Sequence, residues 1–243
     1  MIANGASRHG ESAEGYGGAM AATANGNGDA AQERHKLAFN YRIEGDLKFI
    51  SHQDTLRMFR RVFARAALPV KLSQGFNPQP RMSIPLPRPV GIASNDETVV
   101  VELTKPVDPG EARCRLEEQM PVGAPMIGAR TLAPGERLVP VSVVYRLDLG
   151  PDRPTDLHAR VRRLLDAEHF EVRRVSPKYR EPRIIDLRAF VLEINLDDRG
   201  IEFLARVTDA GTARPAEIAG ALGLAAGPIN HLLRRMKIHW QSK

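Results

Sequence analysis

The sequence predicts an α+β fold: two tandem ferredoxin-like (βαββαβ-type) units with antiparallel sheets, following a disordered N-terminal tail. Three observations predict it. Short segments that alternate apolar and polar residues recur along the chain, as half-buried strands do. Each half of the folded region interleaves such segments with two helical stretches. The residues before about Arg34 carry almost no large apolar side chains and cannot bury enough surface to offset chain entropy.

The tail is therefore expected over 1–34, and the first unit over 35–135. Leu37-Ala38-Phe39-Asn40-Tyr41-Arg42-Ile43 alternates as a strand. Ser51 then opens a helix, with Asp54 three residues on to answer it in a variant of the capping box. This helix is expected to run to about Ala67, where Pro69 forces an extended exit. A Gly- and Pro-punctuated loop follows, Ser73-Gln74-Gly75-Phe76-Asn77-Pro78-Gln79-Pro80, then an extended stretch from Met82 to Pro87 and a strand over Thr98–Leu103. Pro109 and Gly110 start a short helix through about Gln119, and Met126–Leu132 closes the unit as a strand.

The second unit is expected over 136–243. It comprises a strand at Val141–Leu149, a helix at Thr155–Leu165, a strand at Phe170–Val175, paired strands at Ile184–Leu196 and Ile201–Val207, a helix at Pro215–Leu222, and a final strand around Met236–Trp240. Asp197-Asp198-Arg199-Gly200 reads as a hairpin turn in which Gly supplies a positive φ.

Composition narrows the function. An apolar content of 42% supports a folded core. The single cysteine, Cys114, forms no internal disulfide, and no Cys or His cluster has the spacing of a metal site. With no export signal and no apolar run of about eighteen residues, the expected location is the cytoplasm, away from membranes. The net charge is +6, and between Asn40 and Val90 nine Lys/Arg face three acids, an excess equal to that of the whole chain. Such a segment is either a solvated basic face or a contact for an anionic partner.

At about 100° per residue, Leu56, Phe59, Val62, Phe63 and Ala66 share one arc of the first helix, and Arg57, Arg60, Arg61 and Arg65 the opposite one. Like charges at i, i+4 and i+8 repel, and a phosphate backbone relieves that repulsion; Asp54 is the alternative partner for Arg57 or Arg61. With Lys48, these arginines are the candidate RNA phosphate ligands. Beside them, Phe76 is a candidate to stack on an unpaired base, with Gln74, Asn77 or Gln79 reading base edges; alternatively the Phe76 ring plugs the core beneath a rigid turn. His52 is the weak catalytic candidate, as a general acid or base. Ser51, His52 and Asp54 at a helix start are poorly placed for a triad, and Ser51 is better explained as a cap.

The run Leu47-Lys48-Phe49-Ile50-Ser51-His52-Gln53-Asp54-Thr55-Leu56-Arg57, continued by Leu68-Pro69-Val70 and Ser73-Gln74-Gly75-Phe76-Asn77-Pro78, resembles the radical-SAM-linked domain family of unknown function. Ile185-Asp186-Leu187-Arg188 is a weaker match, and Gln53 and Gln79 stand where that family more often has Leu and His. The chain lacks a cluster-binding CxxxCxxC, so it is similar to the free-standing form. The resemblance implies a radical SAM protein acting in trans. That partner, not this chain, would carry the iron–sulfur cluster, S-adenosylmethionine and a cobalamin-type cofactor. The expected function is an accessory module binding tRNA or rRNA, with no sign of DNA specificity. Two alternatives stay open: a metal-independent ribonuclease using His52, and a protein–protein docking subunit.

Overall fold

The alternation in Leu37, Phe39, Tyr41 and Ile43 does produce a strand, β1 (His35–Ile43), whose four apolar side chains are buried. The computed structural model describes residues 35–150, 153–175, 181–224 and 229–243, all within one unit, Glu33–Lys243; the expected tail lies outside the described residues. A 3₁₀ turn, Gly45–Phe49, leads into α1 (His52–Arg65). Then come β2 (Met82–Ser83), β3 (Ala93–Leu103), α2 (Pro109–Glu117) and β4 (Met126–Leu132). The second half contains β5 (Leu138–Asp148), α3 (Leu157–Asp166), β6 (Glu171–Arg174), β7 (Arg183–Asp186), β8 (Val191–Leu196), β9 (Gly200–Thr208), β10 (Gly211–Thr212), α4 (Pro215–Ala221) and β11 (Leu233–Ser242).

The fold is mixed α+β, built on one large, mostly antiparallel sheet. Its path is β10-β9-β5-β11-β3-β1-β4, with β2 paired to β3 and β8 to β9. In the first half β1 lies between β3 and β4, antiparallel to both. In the second, β5 lies between β9 and β11, again antiparallel to both. The halves do not form two separate sheets. They join where β11 runs parallel to the start of β3, pairing Arg234 with Ala93 and Arg235 with Ser94. The expected strand at Thr98–Leu103 is longer: Ala93 and Ser94 pair with β11, and Ser94 and Glu97 with Ile43 and Tyr41 of β1.

Two apolar clusters fill the fold. One gathers Phe39, Tyr41, Phe59 and Phe63 between the first half's strands and helices. The other gathers Tyr145, Phe203, Leu164 and Ile218, and it also takes Ile92 and Leu86 from the first half's chain. Burial of this kind stabilises by roughly 25 cal/mol per Å² of apolar surface.

Several element boundaries depart from the sequence reading. Ile184–Leu196 is two strands rather than one. Phe190 and Val191 both donate to the Leu187 carbonyl, and Asp186 accepts the N–H groups of Phe170 and Arg188, so the chain turns there. β7 consequently leaves the main sheet and pairs with β6 in a small one. Only Met82–Ser83 of the extended stretch pairs, and the last strand is longer than Met236–Trp240 at both ends. Gly200 does not have a positive φ. A Cβ there would overlap the Leu147 carbonyl, so glycine is required by the close approach of β5.

Candidate nucleic-acid interface

Ser51 caps α1 as expected: its hydroxyl oxygen accepts the Asp54 N–H at 3.1 Å. The reciprocal bond differs from a standard capping box, because the Asp54 carboxylate accepts from the Ser51 hydroxyl (2.6 Å) rather than from its backbone N–H. Arg57 donates to the other Asp54 oxygen at 2.7 Å. The Ser51 hydrogen bond, aided by that from Arg57, holds the Asp54 carboxyl below its ordinary range.

The far end of α1 stops at Arg65, short of the expected Ala67. Ala67 adopts φ 48°, its N–H donates to the Ala64 carbonyl, and the Leu68 N–H donates to Phe63 (3.2 Å). This is a Schellman closure with alanine at the left-handed position usually given to glycine. Arg115 of α2 donates to the exposed Ala67 carbonyl (2.6 Å), which locks the two helices together.

Between these ends, Phe59, Val62, Phe63 and Ala66 are buried, and Arg57, Arg61 and Arg65 are exposed along the opposite side. That exposed side borders an open cleft of about 440 Å³. Four apolar residues line it, Leu47, Ile50, Met58 and Pro121, together with Asp54, Arg57, Arg61 and Arg65. Arg65 donates to the Gln119 carbonyl at 2.8 Å, tying the rim to the turn after α2. Arg61 makes no hydrogen bond or ion pair with any described residue. Successive arginines lie one turn apart, with a rise of about 6 Å.

The other sequence-derived candidates fall elsewhere. Arg60 is half-buried on the flank, outside the cleft lining, and its Nε is covered with no hydrogen-bond partner. Lys48 also lies outside the lining, with Nζ 5.2 Å from the centre of the Phe49 ring. Phe76 does not plug the core: it is fully exposed at the tip of its loop, with Gln74 and Asn77 exposed beside it. The base of the loop is closed by Ser73, whose N–H donates to the Gln79 carbonyl (2.8 Å) and whose hydroxyl accepts the Gln79 N–H (3.0 Å), and Gly75 supplies the turn's positive φ of +123°. Its stem hydrogen-bonds to Glu102 of β3 on the β2 side. The cleft wall at Pro121 belongs to the turn before β4, at the opposite edge of this half of the sheet. No residue of the loop lines the cleft, although loop and helix adjoin in sequence.

His52 borders an enclosed space of about 10 Å³ with Tyr41, Thr55, Arg88 and Glu97, room for about one water. Ser51 and Asp54 are bonded to each other, so no triad forms around His52.

What the sequence did not disclose is the buried polar seam between the halves. Arg235 of β11 is 1% exposed and donates to both Glu97 oxygens (3.0 and 3.2 Å), to the Leu86 and Pro87 carbonyls, and to the Tyr145 hydroxyl. Burial pushes the Glu97 carboxyl up, and Arg235 opposes that. Arg88 donates to the Lys48 carbonyl (2.7 Å) and the Leu47 carbonyl (3.3 Å). It thus holds the turn that carries the cleft wall. The signal for Arg88 was its place as the single cation in Pro85-Leu86-Pro87-Arg88-Pro89; Arg235, in a run of basic residues, offered none.

Residues 36–215 match the family described as "Uncharacterized protein conserved in bacteria (DUF2344)", and the chain belongs to that family. A comparison with curated proteins gives no match. Among solved structures the chain is similar to one in "Crystal Structure of a Cbf5-Nop10-Gar1 Complex", at 13% identity and a TM-score of 0.46, over 85% of this chain and 49% of that one. It spans about half the length of that chain. No helix among the described residues is long and apolar enough to cross a membrane.

Proposed function

We propose that this member of the DUF2344 family is an accessory RNA-binding module that presents tRNA or rRNA to a separate radical SAM enzyme. The observation that carries the RNA-binding part is the exposed arginine row Arg57, Arg61 and Arg65 along one open cleft, with Asp54 the single acid in its lining. Arg61 is unpaired among the described residues, and the Arg57–Asp54 pair is solvent-exposed and so cheaply exchanged for a phosphate contact. The exposed Phe76 ring, outside the cleft lining, is a second contact, available to stack on an unpaired base.

The strand orders β4-β1-β3-β2 and β11-β5-β9-β8 support reading each half as a ferredoxin-like unit, but that architecture alone warrants no function. The radical SAM partner, with its iron–sulfur cluster, S-adenosylmethionine and cobalamin-type cofactor, rests on the sequence resemblance.

The test is binding of single-stranded RNA as a function of salt. Replacing Arg57 and Arg61 together with glutamine should leave thermal stability unchanged and weaken binding across sequences. The slope of log affinity against log salt should become shallower by roughly 0.7 for each phosphate that the protein no longer neutralises. Unchanged affinity and slope would remove α1 from the interface.

A further inference from the structure

Resting on the RNA-binding reading, we infer that the α1 cleft is a pocket for one unpaired ribonucleotide, with Asp54 selecting a guanine base and Arg61 and Arg65 taking its phosphate. A volume of about 440 Å³ lies within the range of small-molecule sites, about 300–1,000 Å³. A purely phosphate-tracking surface needs no apolar lining. This cleft has one in Leu47, Ile50, Met58 and Pro121, which suits a base or ribose face withdrawn from water.

The charges are polarised along the helix. Asp54 in the first turn is paired with Arg57, whereas Arg61 and Arg65 further along have no acid beside them in the lining, so an anionic group is drawn to the far end. A nucleotide has the matching asymmetry: a charged phosphate and a base edge that donates hydrogen bonds. Each Asp54 oxygen already accepts one bond, from Arg57 and from the Ser51 hydroxyl, and each keeps a further lone-pair position. The Ser51 bond, made at the helix cap, orients the carboxylate, and both bonds favour its ionised form.

Two parallel acceptors match the adjacent N1–H and N2–H donors of guanine. Cytosine offers only its amino group, and uracil places acceptors on both sides of its single N–H. Base choice in this pocket therefore follows from Asp54, and phosphate affinity from Arg61 and Arg65.

The test uses the full chain with GMP, CMP, UMP and guanosine, measured by calorimetry and by competition against a fluorescent single-stranded RNA. GMP should compete at about tenfold lower concentration than UMP, the lower part of what a good bidentate base contact supplies, with CMP between them. Guanosine should bind more weakly than GMP. Asp54→Asn should reduce the GMP-to-UMP ratio towards one while leaving the preference for GMP over guanosine, and Arg61→Gln should do the reverse. Met58→Trp, which fills the cleft from its apolar wall, should abolish GMP competition in protein that still melts cooperatively. If RNA binds with an arginine-dependent salt slope but GMP neither saturates nor competes, or if Asp54→Asn leaves base preference intact, the pocket is overturned and the RNA-binding reading survives. Saturable, Asp54-dependent GMP binding without RNA binding would support the pocket and overturn the reading it rests on.

Discussion

The most consequential single contact is the one between Arg235 and Glu97, because both side chains are almost fully buried. Removing one member strands the other charge away from water. Arg235→Met should cost about 3–5 kcal/mol in chemical denaturation, whereas the double change Arg235→Met with Glu97→Leu should recover most of that stability. A small effect of the single change would mean that water reaches the seam. Glu136 tests the opposite regime, an exposed turn. It accepts from Arg130 (2.8 Å), the Ala133 N–H (2.8 Å) and the Ser242 hydroxyl (3.0 Å), with the Arg130 bond foremost in bringing its carboxyl from near 4.5 down to about 2. A depressed folded-state pKa stabilises fully above the unfolded value and progressively less below it. The melting-temperature difference between the protein and Glu136→Gln should therefore be constant above about pH 5 and shrink as pH falls from 4.5 towards 2. A difference that grew on acidification would contradict the assigned hydrogen bonds.

At the scale of elements, α1 joins stability to function. Its buried aromatic stripe orients it, and that orientation exposes the three arginines on the opposite side. Its C-terminus has one correctable flaw, since a non-glycine residue in the left-handed region costs about 1–2 kcal/mol. Part of the gain from relieving it is offset by the greater freedom of glycine in the unfolded chain. Ala67→Gly should thus stabilise by about 0.5–1 kcal/mol, read as a higher denaturation midpoint at unchanged slope, and should leave RNA affinity as it was. A lowered midpoint would show that the Ala67 methyl packs better than its exposure implies.

For the whole molecule, the two halves share a sheet, a buried ion pair and side chains. Ile92 and Leu86 belong in sequence to the first half, yet they pack in the second half's core. Neither half can unfold without exposing part of the other. Residues 35–243 should therefore melt in one cooperative transition, with calorimetric and van't Hoff enthalpies equal and spectroscopic probes coincident. Two resolved transitions would restore the picture of independent units divided near residue 135.

The sequence alone determined what neighbours in the chain decide. Strand alternation in β1, the Ser51 cap, the proline start of α2 and the split of α1 into apolar and basic sides were all legible, because periodicity and capping are local properties. Tertiary structure decided the rest. The start of β3 is a strand because β1 and β11 both pair with it, Gly200 is glycine because β5 passes within contact, and Arg235 is buried because Glu97 awaits it. The candidate site divides the same way. Its arginines were visible in the helical spacing, but its apolar lining comes from three separate segments, and Phe76, adjacent in sequence, sits on a loop whose stem bonds to β3 and takes no part in the lining. A cleft is a relation between elements, and its lining becomes apparent only once the chain has brought them together.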